Sequence, residues 1–120
     1  MINSYKPEGA LMGSAENREA LASVAGLEKA MISGRILEAP ALLCDSSLCL
    51  HVDLGVCQGI IEKEEAVYAP DGAPVKDIAI ITRVGKPVSF KVLSIDNIGG
   101  KPVARLSRRA AQVECVHNHL

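Results

Sequence analysis

Residues Leu48 to Leu54 read LCLHVDL, apolar and polar side chains alternating at a period of two. Such a run is a strand with one face in a core and the other in water, and it constrains the fold more than any other stretch of the chain. Leu48, Leu50, Val52 and Leu54 face inward; Cys49, His51 and Asp53 face outward. Gly55 turns the chain into a third strand near VCQGII, where Gly59 fits the sharp coiling of a small closed barrel. The same alternation returns from Pro87 to Ile95, with Val88, Phe90 and Val92 inside and Ser89 and Lys91 outside. Asp96-Asn97-Ile98-Gly99-Gly100 then supplies a hairpin turn with glycine where positive φ is needed. A fifth strand, Pro102 to Ser107, places Ala104 and Leu106 inside and Val103 and Arg105 outside.

The remaining elements are read around these strands. A first strand is expected over Met31 to Leu37, with Ile32, Gly34 and Ile36 on one face, Ser33 and Arg35 on the other, and a bend at Gly34. Pro40 and a Cys44-Asp45-Ser46-Ser47 turn follow it. The segment KEEAVYAPDGAPVKD breaks the pattern, with a turn at Pro70-Asp71-Gly72 and a second breaker at Pro74. Asp77-Ile78-Ala79-Ile80-Ile81 fits either a short helix or a strand, and a helical turn covering the barrel bottom is the preferred reading. Upstream, Ser14 is an N-cap with Glu16 and Glu19 in or near the first turn, and Leu21, Val24 and Leu27 form a narrow apolar stripe. The expected organisation is an extension with one helix over residues 1–29, a barrel over 30–110 and a short helical tail over 111–120. Five short strands, a long third connection and one late hairpin fit an all-β, five-stranded Greek-key barrel. A five-stranded SH3-like barrel has the same spacing.

Composition sets the outer limits. With 120 residues, 48% hydrophobic and 22% charged, the chain supports one domain that needs neither metal nor disulfide to fold. Its only rings besides histidine are Tyr5, Tyr68 and Phe90, so the core is aliphatic and little aromatic surface is on offer for stacking bases. No apolar run reaches the ~18 residues of a membrane span, and MINSYKPEGALMG lacks the features of a signal peptide, so a cytoplasmic protein with no membrane partner is expected. Cys44, Cys49, Cys57 and Cys115 never form C-x-x-C pairs. They read as free thiols on strands, with no metal and no cofactor expected. His117 and His119 lie near Cys115, in a terminal segment where fraying is the ordinary expectation. Net charge is −1, yet residues 1–77 sum to −6 and residues 78–120 to +5. The asymmetry fits either a polyanion-binding face or two halves that neutralise each other in space.

Several segments together resemble a known family. Gly34-Arg35-Ile36, His51-Val52-Asp53-Leu54, Gly59-Ile60-Ile61, Gly85-Lys86-Pro87-Val88-Ser89-Phe90-Lys91-Val92 and Leu106-Ser107-Arg108-Arg109 are similar, in this order, to the ribosomal protein S1 RNA-binding domain. The resemblance covers about residues 30–110. Gly59 to Glu65 resembles the third-strand segment of bacterial S1-domain proteins, where the module often stands in tandem. What the resemblance implies is an oligonucleotide/oligosaccharide-binding (OB) barrel that takes single-stranded RNA, working in translation or RNA handling. The family's exposed second-strand ring falls on His51 and its third-strand histidine on Glu62, which repels phosphate, with Lys63 beside it to compensate. The basic residue after the closing leucine-serine pair is Arg108, followed by Arg109. Arg35 and Arg105 extend the expected phosphate track, so the candidate RNA-binding set is Arg35, His51, Lys63, Arg105, Arg108 and Arg109.

Single-stranded RNA is held by a cationic groove plus ring stacking. One histidine and a few basic groups predict binding that is weak, salt-sensitive and poor in sequence preference. If Ser107 caps a terminal helix, Arg108 and Arg109 lie in its first turn, where the dipole disfavours each by ~0.3 to 1 kcal/mol. They either contact an anion or pair with carboxylates of the acidic front half. No paired carboxylates, phosphate-cradling glycine loop or nucleophile context points to catalysis. A protein-docking barrel, using Glu62 and the Leu21-Val24-Leu27 stripe, is the alternative function. The final VECVHNHL reads as the start of a connector to a further module, the ribosome being another candidate partner.

Overall fold

The computed structural model describes residues 8, 9, 11–67 and 77–118, with side chains to residue 114. The expected turn at Pro70-Asp71-Gly72 and breaker at Pro74 lie outside the described residues, as do the side chains of Cys115 and His117 and all of His119. The chain runs α1 (Ala15–Leu21), α2 (Val24–Ser33), β1 (Leu37–Cys44), β2 (Leu50–Asp53), β3 (Gln58–Ile61), a 3-10 turn (Lys63–Glu65), α3 (Asp77–Ile81), β4 (Pro87–Ile98), β5 (Lys101–Ser107) and α4 (Arg108–Asn118).

The front of the chain holds two helices where the sequence suggested one. Ser14 caps α1 by accepting from the Asn17 amide at 3.1 Å, as expected, but Ser23 caps a second helix through the Gly26 amide at 3.0 Å. The caps split the Leu21-Val24-Leu27 stripe between two short helices. They cross closely at Gly26, where a Cβ would come within 2.7 Å of the Ala20 carbonyl oxygen. The α2 helix consumes Met31 to Ser33, so the expected first strand begins only at Leu37. Gly34, at φ 69°, ends the helix in the left-handed region, and the Arg35 amide reaches back to the Ala30 carbonyl. Helical spacing defeated the alternation here because Leu27 and Ala30 can both enter the core, whereas Ile32 is 83% exposed.

Five strands make a mixed sheet that closes in a ring, in the order β1-β2-β3-β5-β4, with β3 and β5 parallel and the other neighbours antiparallel. The closure depends on β1, which pairs with β4 over Leu37 to Pro40 and with β2 from Ala41 onward, changing register at a bulge between Ala41 and Leu43. The arrangement is consistent with an OB-like fold, with strands as the body and helices on its flanks. Leu50, Val52 and Leu54 are buried as the alternation required, with Val88, Phe90, Ala104 and Leu106. Leu48 instead sits in the β1–β2 turn at φ 63°, half-buried. A Cβ at Gly59 would lie 2.6 Å from Leu106 Cδ1 and 3.2 Å from Leu54 Cδ1, so a side chain there would have to push these core leucines aside. The preferred helical reading of Asp77 to Ile81 holds, and α3 inserts Ile80 fully into the core. The β4–β5 hairpin is longer than expected, reaching Ile98 and Lys101 around Gly99 and Gly100, both at positive φ.

The segment before α1 is stitched to the seam between β1 and β4. Opposite each other there, Glu38 and Ser89 turn backbone groups away from the seam. The Asn17 side-chain amide donates to the Glu38 carbonyl at 2.9 Å, and its oxygen accepts from the Glu38 N–H at 2.7 Å. Glu8 accepts from the Ser89 N–H at 2.7 Å. The Glu38 carboxylate, buried itself, accepts from the amides of Gly9 and Leu11.

Candidate nucleic-acid interface

Strand pairing brings outward-facing residues of all five strands into register. Leu43, His51, Ile60, Arg105 and Ser94 form one row across β1, β2, β3, β5 and β4. Asp53, Gln58, Val103 and Asp96 form a second row beside it. The sheet therefore sets His51 and Arg105, two of the six candidate residues, one strand apart on either side of Ile60.

His51 is gripped at both nitrogens. Its Nε2 lies 2.9 Å from Asp45 Oδ2, and its Nδ1 is bonded to the Gln58 side-chain amide. An ionised carboxylate only accepts, so Nε2 carries the proton and, in the neutral ring, Nδ1 accepts from Gln58. The His51 bond and the backbone amides of Cys49 and Ser47 hold the Asp45 carboxyl below the usual carboxylate range against a smaller opposing effect of burial. With both nitrogens committed inside the protein, His51 has its ring face, not a hydrogen-bonding edge, to offer a base. Asp45 and Gln58, which hold the candidate residue His51, are contacts that the sequence did not reveal. Their only sequence signal is placement: a turn aspartate six positions before the histidine, and an outward glutamine on the adjacent strand.

The basic candidates meet different fates. Arg105 is exposed on β5 and donates to the Glu62 carboxylate just past the end of β3. Lys63 is exposed at the start of the 3-10 turn, on the rim of the face and among Glu62, Glu64 and Glu65. Arg109 is exposed in the first turn of α4, which packs on β4 and the 3-10 turn. Arg35 is not on a strand; it follows the α2 cap and lines a groove between α1 and α2 with Glu16, Glu19 and Lys29. The sequence placed it on the face because the Gly34-Arg35-Ile36 alternation imitated a strand.

Arg108 is the clearest correction. It is 8% exposed and turned inward, its Nε and Nη2 donating to the two Glu8 oxygens at 2.8 and 2.7 Å and its Nη1 to the Ala66 carbonyl at 3.1 Å. Arg83 approaches the same carboxylate at 3.1 Å. Burial pushes the Glu8 carboxyl upward, but the hydrogen bonds from Arg108 and the Ser89 amide, with the charges of Arg108 and Arg83, outweigh it and hold Glu8 below the usual range. Of the two readings left open for the helix-start arginines, the carboxylate pair from the acidic front half is the one Arg108 adopts. Ser107 does cap α4, accepting from the Ala110 amide at 2.8 Å.

The thiols of Cys44, Cys49 and Cys57 are free and half-buried, and burial is the main cause of their raised pKa values. Such thiols are poor nucleophiles at neutral pH. Among the described residues no group of three or more His, Cys, Asp or Glu is placed to hold a metal ion. Among those residues, too, no helix is long and apolar enough to cross a membrane.

Against this geometry, the chain is similar to the solution structure of GSP13 from Bacillus subtilis, at 28% sequence identity and a TM-score of 0.51. The likeness covers 64% of this chain and 55% of that one, so this chain spans about half the length of that neighbour. It supports an S1-like fold. No family model matches the chain, and no curated protein does.

Proposed function

We propose that this chain is an S1-type nucleic-acid-binding module that takes single-stranded RNA weakly and with little sequence preference, in translation or RNA handling in the cytoplasm. The observation that carries the reading is the cross-strand row His51–Ile60–Arg105 on β2, β3 and β5. The three offer a ring face, an apolar floor and a guanidinium, each one strand spacing from the next, the elements a stacked base and its phosphate require. Weakness follows from carboxylates that already compensate several of the cations, the row's own Arg105 among them. Arg83 and Arg108 share Glu8, Lys91 is paired with Glu114, and Arg105 is paired with Glu62. Low selectivity follows from His51, whose nitrogens are not available to read a base edge. The module has no chemistry of its own in this reading, and further S1-type modules or the ribosome are its natural company. Linked modules raise avidity without new contacts.

A barrel that docks a protein is the second reading, and the compensated cations together with exposed Leu42 and Leu43 favour it. Anisotropy of a labelled mixed-sequence RNA separates the two. Expected is binding that prefers the single strand over a duplex, weakens with salt and falls about fivefold or more in His51→Ala, the lower end of what one stacked base contributes. Equal binding by a folded His51→Ala protein would remove the ring from the site. Absence of binding at low salt would favour protein docking.

A further inference from the structure

We propose that Glu62 sets the strength of the β2–β3–β5 face by occupying Arg105, so that ligand phosphate and the Glu62 carboxylate compete for one guanidinium. This rests on the RNA-binding reading above and names the residue that tunes it. Arg105 stands opposite Ile60 in the parallel β3–β5 ladder, and Glu62 follows β3 on the same side, where its Oε1 takes the Arg105 Nη2 donor. Both side chains are about half exposed, so phosphate can reach the guanidinium wherever the carboxylate lets go.

Glu62 has no evident part in holding the fold. It precedes the 3-10 turn without capping it through its side chain, and an exposed ion pair of this kind contributes little to stability. The other carboxylates near Arg105 are Asp96 on β4 and Glu65 of the turn. Glu65 is held by the Ser107 hydroxyl at 2.6 Å and Asp96 accepts from the Ser94 hydroxyl at 3.5 Å, whereas Glu62 is the carboxylate bonded to the guanidinium. A guanidinium presents its donors as one planar fork, and a carboxylate and a phosphate both address that fork. The carboxylate therefore lowers affinity in two ways: it must be displaced, and once displaced it repels the incoming phosphate.

Neutralising Glu62 should therefore strengthen binding. Labelled oligouridine is titrated into the parent, Glu62→Gln and the double variant Glu62→Gln/Arg105→Gln, at about 50 and 200 mM salt, with thermal unfolding confirming that all three fold. Glu62→Gln is expected to bind roughly fivefold tighter at the lower salt, and the double variant to lose the gain. One phosphate contact on a single strand adds about 0.7 to the salt slope, so the advantage should shrink roughly 2.5-fold at the higher salt. A parent that binds RNA while Glu62→Gln binds no tighter overturns the competition and leaves the RNA reading standing. A gain that survives in the double variant also overturns it, because Arg105 would not be the group released. No binding by any of the three overturns both.

Discussion

Arg108→Ala is expected to destabilise the protein by about 3 to 5 kcal/mol, the range for removing one partner of a buried ion pair. The arginine is not an isolated contact. It bonds both Glu8 oxygens and the Ala66 carbonyl, and through Glu8 it is connected to Ser89 of β4 and to Arg83. Taking it away leaves a largely buried carboxylate with Arg83 as its remaining cation and strips a partner from the Ala66 carbonyl. Arg108→Lys restores the charge but not the two-pronged geometry, so it should recover only part of the loss. Urea unfolding measures all three proteins. Acid gives a second signature. Because Glu8 is held below the usual carboxylate range, its contribution is complete above that range and fades as pH falls through the lower folded value. The gap between parent and Arg108→Ala should therefore narrow on acidification. A gap that stays constant with pH would mean the arginine acts by packing and not through Glu8.

Asn17→Ala should cost about 2 to 4 kcal/mol, although alanine is the better helix former by several tenths of a kcal/mol. The reason lies at the barrel edge. Strand β1 leaves β4 and joins β2 only from Ala41, so Glu38 has no strand on its other side. The Asn17 amide stands in for that strand, giving one donor and one acceptor to the Glu38 backbone while only 3% exposed itself. Without it, a buried N–H and a buried carbonyl each lose a partner, at about 1 to 3 kcal/mol apiece before relaxation and water entry. Hydrogen exchange reports this locally. The Glu38 amide should lose protection in the variant, whereas the amides of the β4–β5 hairpin should lose no more than global destabilisation explains. Unchanged protection at Glu38 would show that the amide does not complete the edge.

These two residues also mark the boundary of what sequence could deliver. The barrel was legible because its strands obey a period of two: Leu50, Val52 and Leu54, and then Val88, Phe90 and Val92, lie where the alternation put them. The resemblance to S1 domains supplied the candidate face, and the β2–β3 and β3–β5 pairings set His51 and Arg105 on either side of Ile60. What was not legible depends on contacts between distant side chains. Arg108 looked like a surface cation because nothing local reveals that Glu8, 100 residues away, lies beneath it. Arg35 was misplaced by a short alternation that a left-handed glycine cap and two buried helical positions overrode. The polar grip of Asp45 and Gln58 on His51 arises only once β2 and β3 pair and the turn closes.

The most direct measurement of the proposed RNA face is amide chemical-shift mapping by NMR during titration with a short single-stranded RNA. The proposed site predicts shifts concentrated on β2, β3 and β5, at His51, Gln58, Ile60, Val103 and Arg105, extending to Lys63 on the rim. The α1–α2 groove around Arg35 and the buried Arg108 should stay still. Shifts gathered in that groove, or on α4 with none on the strand row, would contradict it and place nucleic-acid binding elsewhere on the molecule.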